Sequence, residues 1–217
     1  MSDFNNEVVL ATLKQLLNIL KSGGVKYRIL GSVVMASMNR KLHRKLGDFD
    51  LIIDAGKKEY MSAELKKIGY VPSGGLFKFF RKYFNLDQYE SDSLLGVGYF
   101  YGQWQPDGSM VVGGKNFYIT IDPHPLKETN YSFYGLNFVG IPERAIATGV
   151  MASSGNPKRA KEVLFLKEHN IQPFPNNYIH IHLFGLRSDW LYSLIKNSLN
   201  LIGFIRVRLG LAFDPWR

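Results

Sequence analysis

Apolar residues recur at three-to-four spacing over residues 6–22, where Val9, Leu13, Leu16, Leu17 and Leu20 share one side. That period predicts an amphipathic helix, ended by Gly23-Gly24. Residues 27–30 read as a short strand, Gly31-Ser32 as a turn, and residues 33–38 as the start of a second helix. Residues 48–53 read as a strand, and 58–68 as a helix closed by Gly69. Three strands are predicted at 99–104, 110–112 and 117–121, separated by Pro106-Asp107-Gly108 and Gly113-Gly114 turns. A brief strand at 137–140 leads into Pro142-Glu143, which suits a helix first turn and predicts a helix to about residue 151. A further helix is predicted over 158–169, a break at Pro173 and Pro175, and a mostly helical, apolar tail over 187–209. Residues 77–84 fit neither period. The order predicts an α+β fold with a sheet built from hairpins, rather than a doubly wound one. The domain expectation is a core over 1–172 and a C-terminal, mostly helical extension over 173–217, packed on the core or on a partner.

Composition narrows the class. The 217 residues are 46% hydrophobic and 21% charged, the balance of a globular chain. The formal charge is +9, which favours anionic partners such as nucleotides, nucleic acid or a membrane surface without choosing among them. No cysteine is present, so disulfide and thiolate chemistry are excluded, and a cytoplasmic setting is the expectation. The polar start of the chain carries no signal-peptide pattern, and no apolar run is long enough for a spanning helix.

The chemistry concentrates in residues 30–54. On a strand, alternate side chains share a face, so Asp48 and Asp50 point one way while Phe49 and Leu51 point into the core. Two close carboxylates repel unless a cation lies between them. Mg²⁺, which takes oxygen ligands from a few carboxylates and from substrate phosphates, suits that arrangement. A third acid on a neighbouring strand would complete a two-metal site, and Asp122, at the end of a β-rich run, is the candidate. Alone, an Asp-x-Asp is more often a pair of acids that solvate a strand end or cap a turn. The upstream turn changes the reading: Gly31 allows close backbone approach, Ser32 offers a hydroxyl and an N–H, and a helix starting there aims free N–H groups at an anion.

The stretches "LGSVVMA" and "DFDLIID" resemble the signature of the nucleotidyltransferase fold, the DNA polymerase β superfamily. More narrowly, they resemble the minimal nucleotidyltransferases and the AbiEii-like toxins. "AELKKIGY" (63–70), "ITIDPHP" (119–125) and "LNFVGIPERAIATGVMASSGNPKRAKEVLFLKEHN" (136–170) are similar to later parts of that pattern, so the resemblance spans roughly 25–170. It implies a nucleotidyltransferase-like mixed β-sheet flanked by helices, two Mg²⁺ ions (Mn²⁺ as a substitute) and transfer of NMP from an NTP. In that reading Asp48, Asp50 and Asp122 hold the metals, with Asp122 also placed to accept a proton. Gly31, Ser32, Lys158 and Arg44 contact the nucleotide. The chain departs from the pattern at Leu46, where a Thr is usual. It departs again at Asn156-Pro157-Lys158-Arg159, where the usual arginine and first acid are absent, and Glu162 takes the place of the second acid.

Several features have two readings. Arg40, Lys41, His43, Arg44 and Lys45 form either a solvated loop or a phosphate or RNA-backbone contact. "FKFFRKYF" suits either base stacking or a half-buried element. His180 and His182 share a strand face at a spacing compatible with zinc, without another ligand nearby in sequence. His124 borders Asp122. The apolar tail suits a docked helix or a homo-oligomer contact, and less well an interfacial membrane helix. The acceptor expected from the toxin-like resemblance is RNA, at the tRNA 3′ end, with an antitoxin-like protein partner. The alternatives are a small molecule or protein acceptor, a nucleotide-sugar glycosyltransferase, and a non-catalytic nucleotide-binding module.

Overall fold

The computed structural model describes residues 6–42, 44–73, 85–152, 159–191, 194 and 197. Its helices are α1 (Asn6–Ser22), α2 (Ser32–Asn39), α3 (Lys58–Lys67), α4 (Glu143–Ala152) and α5 (Ala160–Glu168). The strands are β1 (Tyr27–Ile29), β2 (Asp48–Asp54), β3 (Val71–Pro72), β4 (Leu86–Glu90), β5 (Gly96–Trp104) and β6 (Met110–Gly113). They continue with β7 (Phe117–Ile121), β8 (Thr129–Phe133), β9 (Leu136–Gly140), β10 (Ile179–Leu183) and β11 (Leu186–Arg187).

Among the described residues the strands form one mixed sheet in the order β11-β10-β7-β6-β5-β2-β1-β9-β8. The β2–β5 and β1–β9 pairs are parallel and the rest antiparallel. The first half of β5 lies between β2 and β4, and its last two residues pair with β6 instead. β5 hands the sheet on to β6 close to Gly102, where any Cβ would stand 2.7 Å from the Val111 carbonyl.

Side-chain alternation along β2 builds two cores. Phe49, Leu51 and Ile53 are buried with Val97 and Tyr99 of β5 and with the apolar stripes of α1, α2, α3, α4 and α5. Ile52 faces the other way, into a smaller cluster with Met110, Val112 and Leu126. That second cluster covers only the far half of this face, so Asp48 and Asp50 at the near half stay open to water.

β10 and β11 add to the sheet through β7, so residues 179–187 begin the C-terminal region as strands rather than as part of a helical extension. The helical pattern starts after them, and most of the apolar tail, with the aromatic-basic run at 77–84, lies outside the described residues. No described helix is long and apolar enough to cross a membrane.

Candidate active site

Asp48 and Asp50 stand side by side on the open face of β2. Their register partners on β5 are Gly96 and Gly98. A Cβ at 96 would lie 3.5 Å from the Asp48 Cβ, and one at 98 would lie 3.4 Å from Asp50 Oδ1. The two carboxylates therefore border a strip of bare backbone. Asp50 keeps water contact but is closely surrounded by protein atoms, as a group at the bottom of a cleft is. That burial, and next the charge of Asp48, push its pKa up to about 7, while Arg159 and Arg44 pull it down. Such a pair fits a divalent cation: two oxygen donors share one face, their mutual repulsion is relieved by positive charge, and glycines leave the space beside them empty.

The turn between β1 and α2 closes in on this pair. Gly31 has φ +73° and ψ −149°, a conformation that L side chains avoid, and a Cβ there would sit 3.4 Å from Asp50 Oδ2. The Leu30 N–H donates to the Asp50 carbonyl at 2.8 Å, which fixes the turn against β2. Ser32, the next residue, opens α2.

A buried carboxylate ties the surroundings together. Glu162 of α5 is fully buried and accepts from three side chains. Ser32 Oγ donates to its Oε1 at 2.8 Å, Arg44 Nε to the same oxygen at 3.3 Å, and Arg159 Nη1 to Oε2 at 2.6 Å. Arg44 also donates through Nη2 to Ser32 Oγ at 2.6 Å. Burial alone would raise the Glu162 pKa. The Arg159 and Arg44 guanidiniums and the Ser32 hydroxyl outweigh it and hold the carboxyl below the ordinary glutamate range. The knot holds two guanidiniums beside Asp50 against one carboxylate of its own, so its surplus positive charge faces the Asp48–Asp50 pair.

The structure thus brings Asp48, Asp50, Gly31, Ser32 and Arg44 together. Lys158 and His43 lie outside the described residues. Arg159 and the anchoring role of Glu162 are additions. Their signal in the sequence is one acid on the apolar side of a helix, with an arginine three residues before it.

Asp122 lies apart from the pair, so the structure does not bring the three expected carboxylates together. It follows β7, and the path from β2 to β7 runs through β5 and β6. Gly98, beside Asp50, is six residues from Trp104, whose level β6 and β7 carry on to Ile121. Along a strand that is about 20 Å. The apolar cluster of Ile52, Met110 and Ile121 stands in between. Asp122 instead faces His180 Nε2 at 3.4 Å, and His180 Nδ1 lies 3.1 Å from Asp189 Oδ1. His182 is engaged separately, with Thr120 Oγ1 at 3.0 Å and stacked on Tyr118. The two histidines share a strand face but make separate contacts. Among the described residues no three acids or imidazoles are gathered as a ready-made metal site.

No family model matches the chain, and no curated protein matches it. Solved structures do, and they define the class: the chain has the nucleotidyltransferase fold, α+β with a mixed sheet flanked by helices. It is similar to the lincosamide antibiotic adenylyltransferase LnuA bound to lincomycin, at 16% identity and TM-score 0.58, covering 76% of this chain and 98% of that one. It is similar to the antibiotic-resistance factor ANT(2'')-Ia in solution, at 11% identity and TM-score 0.59, covering 95% of this chain and 96% of that one. The complex of ANT(2'')-Ia with adenylyl-2''-tobramycin gives TM-score 0.52 at 12% identity, over 77% of this chain and 87% of that one. At these identities the likeness is one of fold.

Proposed function

We propose that this protein is a Mg²⁺-dependent nucleotidyltransferase, which joins the α-phosphate of an NTP to a hydroxyl of an acceptor and releases pyrophosphate. The observation that carries the reading is Asp48 and Asp50 on a bare glycine strip, beside a Gly31-Ser32 turn and two arginines held by Glu162. Asp48 and Asp50 would hold the cation, which supplies charge neutralisation for the phosphates and activation of the attacking oxygen. Ser32 and the first N–H groups of α2 bind phosphate oxygens. Arg44 and Arg159 offset the charge of the leaving pyrophosphate. The new bond joins the acceptor oxygen to the α-phosphorus, the bond from that phosphorus to the bridging oxygen breaks, and the acceptor proton leaves to base or water.

A small hydroxyl compound is the first acceptor class, because the two similar proteins matched over nearly their whole length are a lincosamide antibiotic adenylyltransferase and an antibiotic-resistance factor. ATP is then the donor. RNA is the second, supported by the +9 charge, by Arg44 at the site and by the basic run Arg40, Lys41 and Lys45 around it in the chain, in line with the toxin-like resemblance. An antitoxin-like partner belongs to that second reading only.

The test is incubation with each α-labelled NTP and Mg²⁺, with total RNA in one arm and a panel of hydroxylated small molecules in the other. Asp48→Ala and Asp50→Ala run alongside. Label that reaches an acceptor and disappears in both variants supports the proposal, and the arm that labels identifies the class. Label in neither arm, or label that persists in both variants, rejects it.

A further inference from the structure

We propose that the protein carries a second nucleotide site, a cavity bordered by the β7–β8 connection, the start of α4 and the chain that leads into β10. It takes a nucleoside monophosphate, either free or as the end of an RNA chain. The cavity shares no residue with the Asp48–Asp50 site, and its occupancy does not depend on nucleotidyl transfer there.

Segments far apart in the chain build it. Asp122 and Lys127 follow β7, Arg144 lies in the first turn of α4, and Phe174 and Tyr178 precede β10. Together they border a cavity of about 520 Å³, within the range of about 300–1,000 Å³ usual for small-molecule sites. Its walls are tied to one another. The Asp122 N–H donates to the Tyr178 carbonyl at 3.0 Å, and the Phe174 N–H to Thr148 Oγ1 at 2.9 Å. The Phe174 and Tyr178 rings meet edge to face with centroids 5.6 Å apart, and Pro142 adds to the apolar lining. A wall of packed rings and proline has little freedom left to lose when a flat ligand settles against it.

The charges of the lining call for an anion. Arg144 is held in place by the protein itself. Its Nε donates to the Gln172 carbonyl at 3.4 Å and its Nη2 to the Pro173 carbonyl at 3.2 Å, and the guanidinium lies 5.0 Å from the centroid of the Phe174 ring. Its Nη1 makes no hydrogen bond, and the guanidinium no ion pair, with any described residue. Lys127 is exposed and likewise has no acid partner among the described residues. Two cations without counter-ions on one apolar cavity suit a phosphate carried on an apolar body, and a guanidinium fork is shaped for phosphate oxygens. They match the charge of one phosphate dianion, so a monophosphate suits the site better than a triphosphate.

Asp122 narrows the ligand further. Its side chain is 45% exposed, with His180 Nε2 at 3.4 Å. An ionised carboxylate only accepts hydrogen bonds, so in a site for anions it repels a bare phosphate and favours a ligand that brings hydroxyl donors. A flat ring for Phe174, hydroxyls for Asp122 and a phosphate for Lys127 and Arg144 are the three parts of a ribonucleotide. Exposed cations alone are ordinary. These two border a preformed apolar cavity that also holds an acceptor, and that combination sets them apart.

The experiment is calorimetric titration with AMP in EDTA, on the wild type, Lys127→Ala, Arg144→Gln and Ser32→Ala, with melting curves to show that each variant is folded. The wild type is expected to bind AMP in a class of site that Ser32→Ala keeps and that Lys127→Ala, which melts with the wild type, weakens at least about tenfold. Arg144→Gln weakens it as well. Benzoate and inorganic phosphate, each offering one part of the ligand, bind at least about tenfold more weakly than AMP. A short oligoadenylate separates the two sources: tighter binding of AMP supports the free nucleotide, and tighter binding of the oligomer supports the chain end. No AMP binding up to about 10 mM overturns the proposal. So does AMP binding that Lys127→Ala and Arg144→Gln both keep, or that only Ser32→Ala loses, which places the nucleotide at the Gly31 turn. Benzoate or phosphate binding as tightly as AMP also overturns it. None of these outcomes decides nucleotidyl transfer, which is read from labelled product.

Discussion

Replacing Glu162 by Gln tests the knot that holds Ser32 and the two arginines in place. The substitution keeps the volume and keeps an oxygen that can accept from Ser32 and Arg44. It removes the carboxylate charge and turns an N–H₂ toward Arg159, donor against donor, where a 2.6 Å charge-assisted bond stood. A hydrogen bond to a charged group contributes about 1.5–3 kcal/mol. Arg159 keeps 29% of its side chain exposed and recovers part of its hydration, so the loss is about 2–3 kcal/mol rather than the full cost of stranding a buried ion. In a chain of this length 1 kcal/mol moves the melting temperature by about 2–4 °C, so Glu162→Gln should melt about 4–12 °C below the wild type. The effect has a pH signature. The Glu162 carboxyl is held below its ordinary pKa, so its contribution is complete above the unfolded value of about 4.3 and fades as pH falls through the folded one. The gap between wild type and variant is therefore full at pH 7 and closes on acidification below about 4. Melting curves by circular dichroism at several pH values measure it, with the exposed Glu168→Gln as control. A Glu162→Gln protein that melts with the wild type at pH 7, or a gap that widens in acid, would refute the reasoning.

Gly31→Ala forces a side chain into a backbone conformation of φ +73° and ψ −149° and brings a methyl to 3.4 Å from Asp50 Oδ2. Strain of that kind costs about 1–3 kcal/mol, to be read from urea unfolding, with weaker nucleotide binding beside it. A stability loss below about 0.3 kcal/mol would show that the turn is not held as described. Asp50→Asn acts in the opposite direction. Burial and Asp48 raise the Asp50 pKa to about 7, so ionising it in the metal-free fold becomes progressively unfavourable between the unfolded value near 4 and pH 7. In EDTA the variant should melt above the wild type at pH 8, and the difference should vanish near pH 4. A difference independent of pH would contradict the raised pKa.

Much of the fold is legible in the periodicity. α1 matches its expected span because five apolar residues and a double glycine leave little choice, and β1, α2 and β2 follow within a residue or two. The missed strands have physical reasons. β8, ahead of the expected strand at 137–140, is joined to β9 by Tyr134-Gly135, and β10 to β11 by Phe184-Gly185, all with positive φ. Two-residue hairpins need that conformation but usually announce it with Asn or Asp before the glycine. β4 buries only Tyr89 among its five residues, so it shows no full apolar face. Within the site, Asp48 and Asp50 are legible because strand alternation is local. Asp122 directly follows a strand, as expected, but which strands lie side by side is a property of the whole sheet. Glu162 and its partners Ser32 and Arg44 lie 130 and 118 residues apart in the chain, and no local pattern links them.

The most direct test of the whole account is a crystal structure with Mn²⁺ and a non-hydrolysable NTP, with the metal located by anomalous scattering. The account predicts a peak bonded to the carboxylates of Asp48 and Asp50, at about 2.2 Å, with the triphosphate against Ser32 and the start of α2. A peak among Asp122, His180 and Asp189 instead, with the nucleotide away from the Gly31 turn, would contradict it.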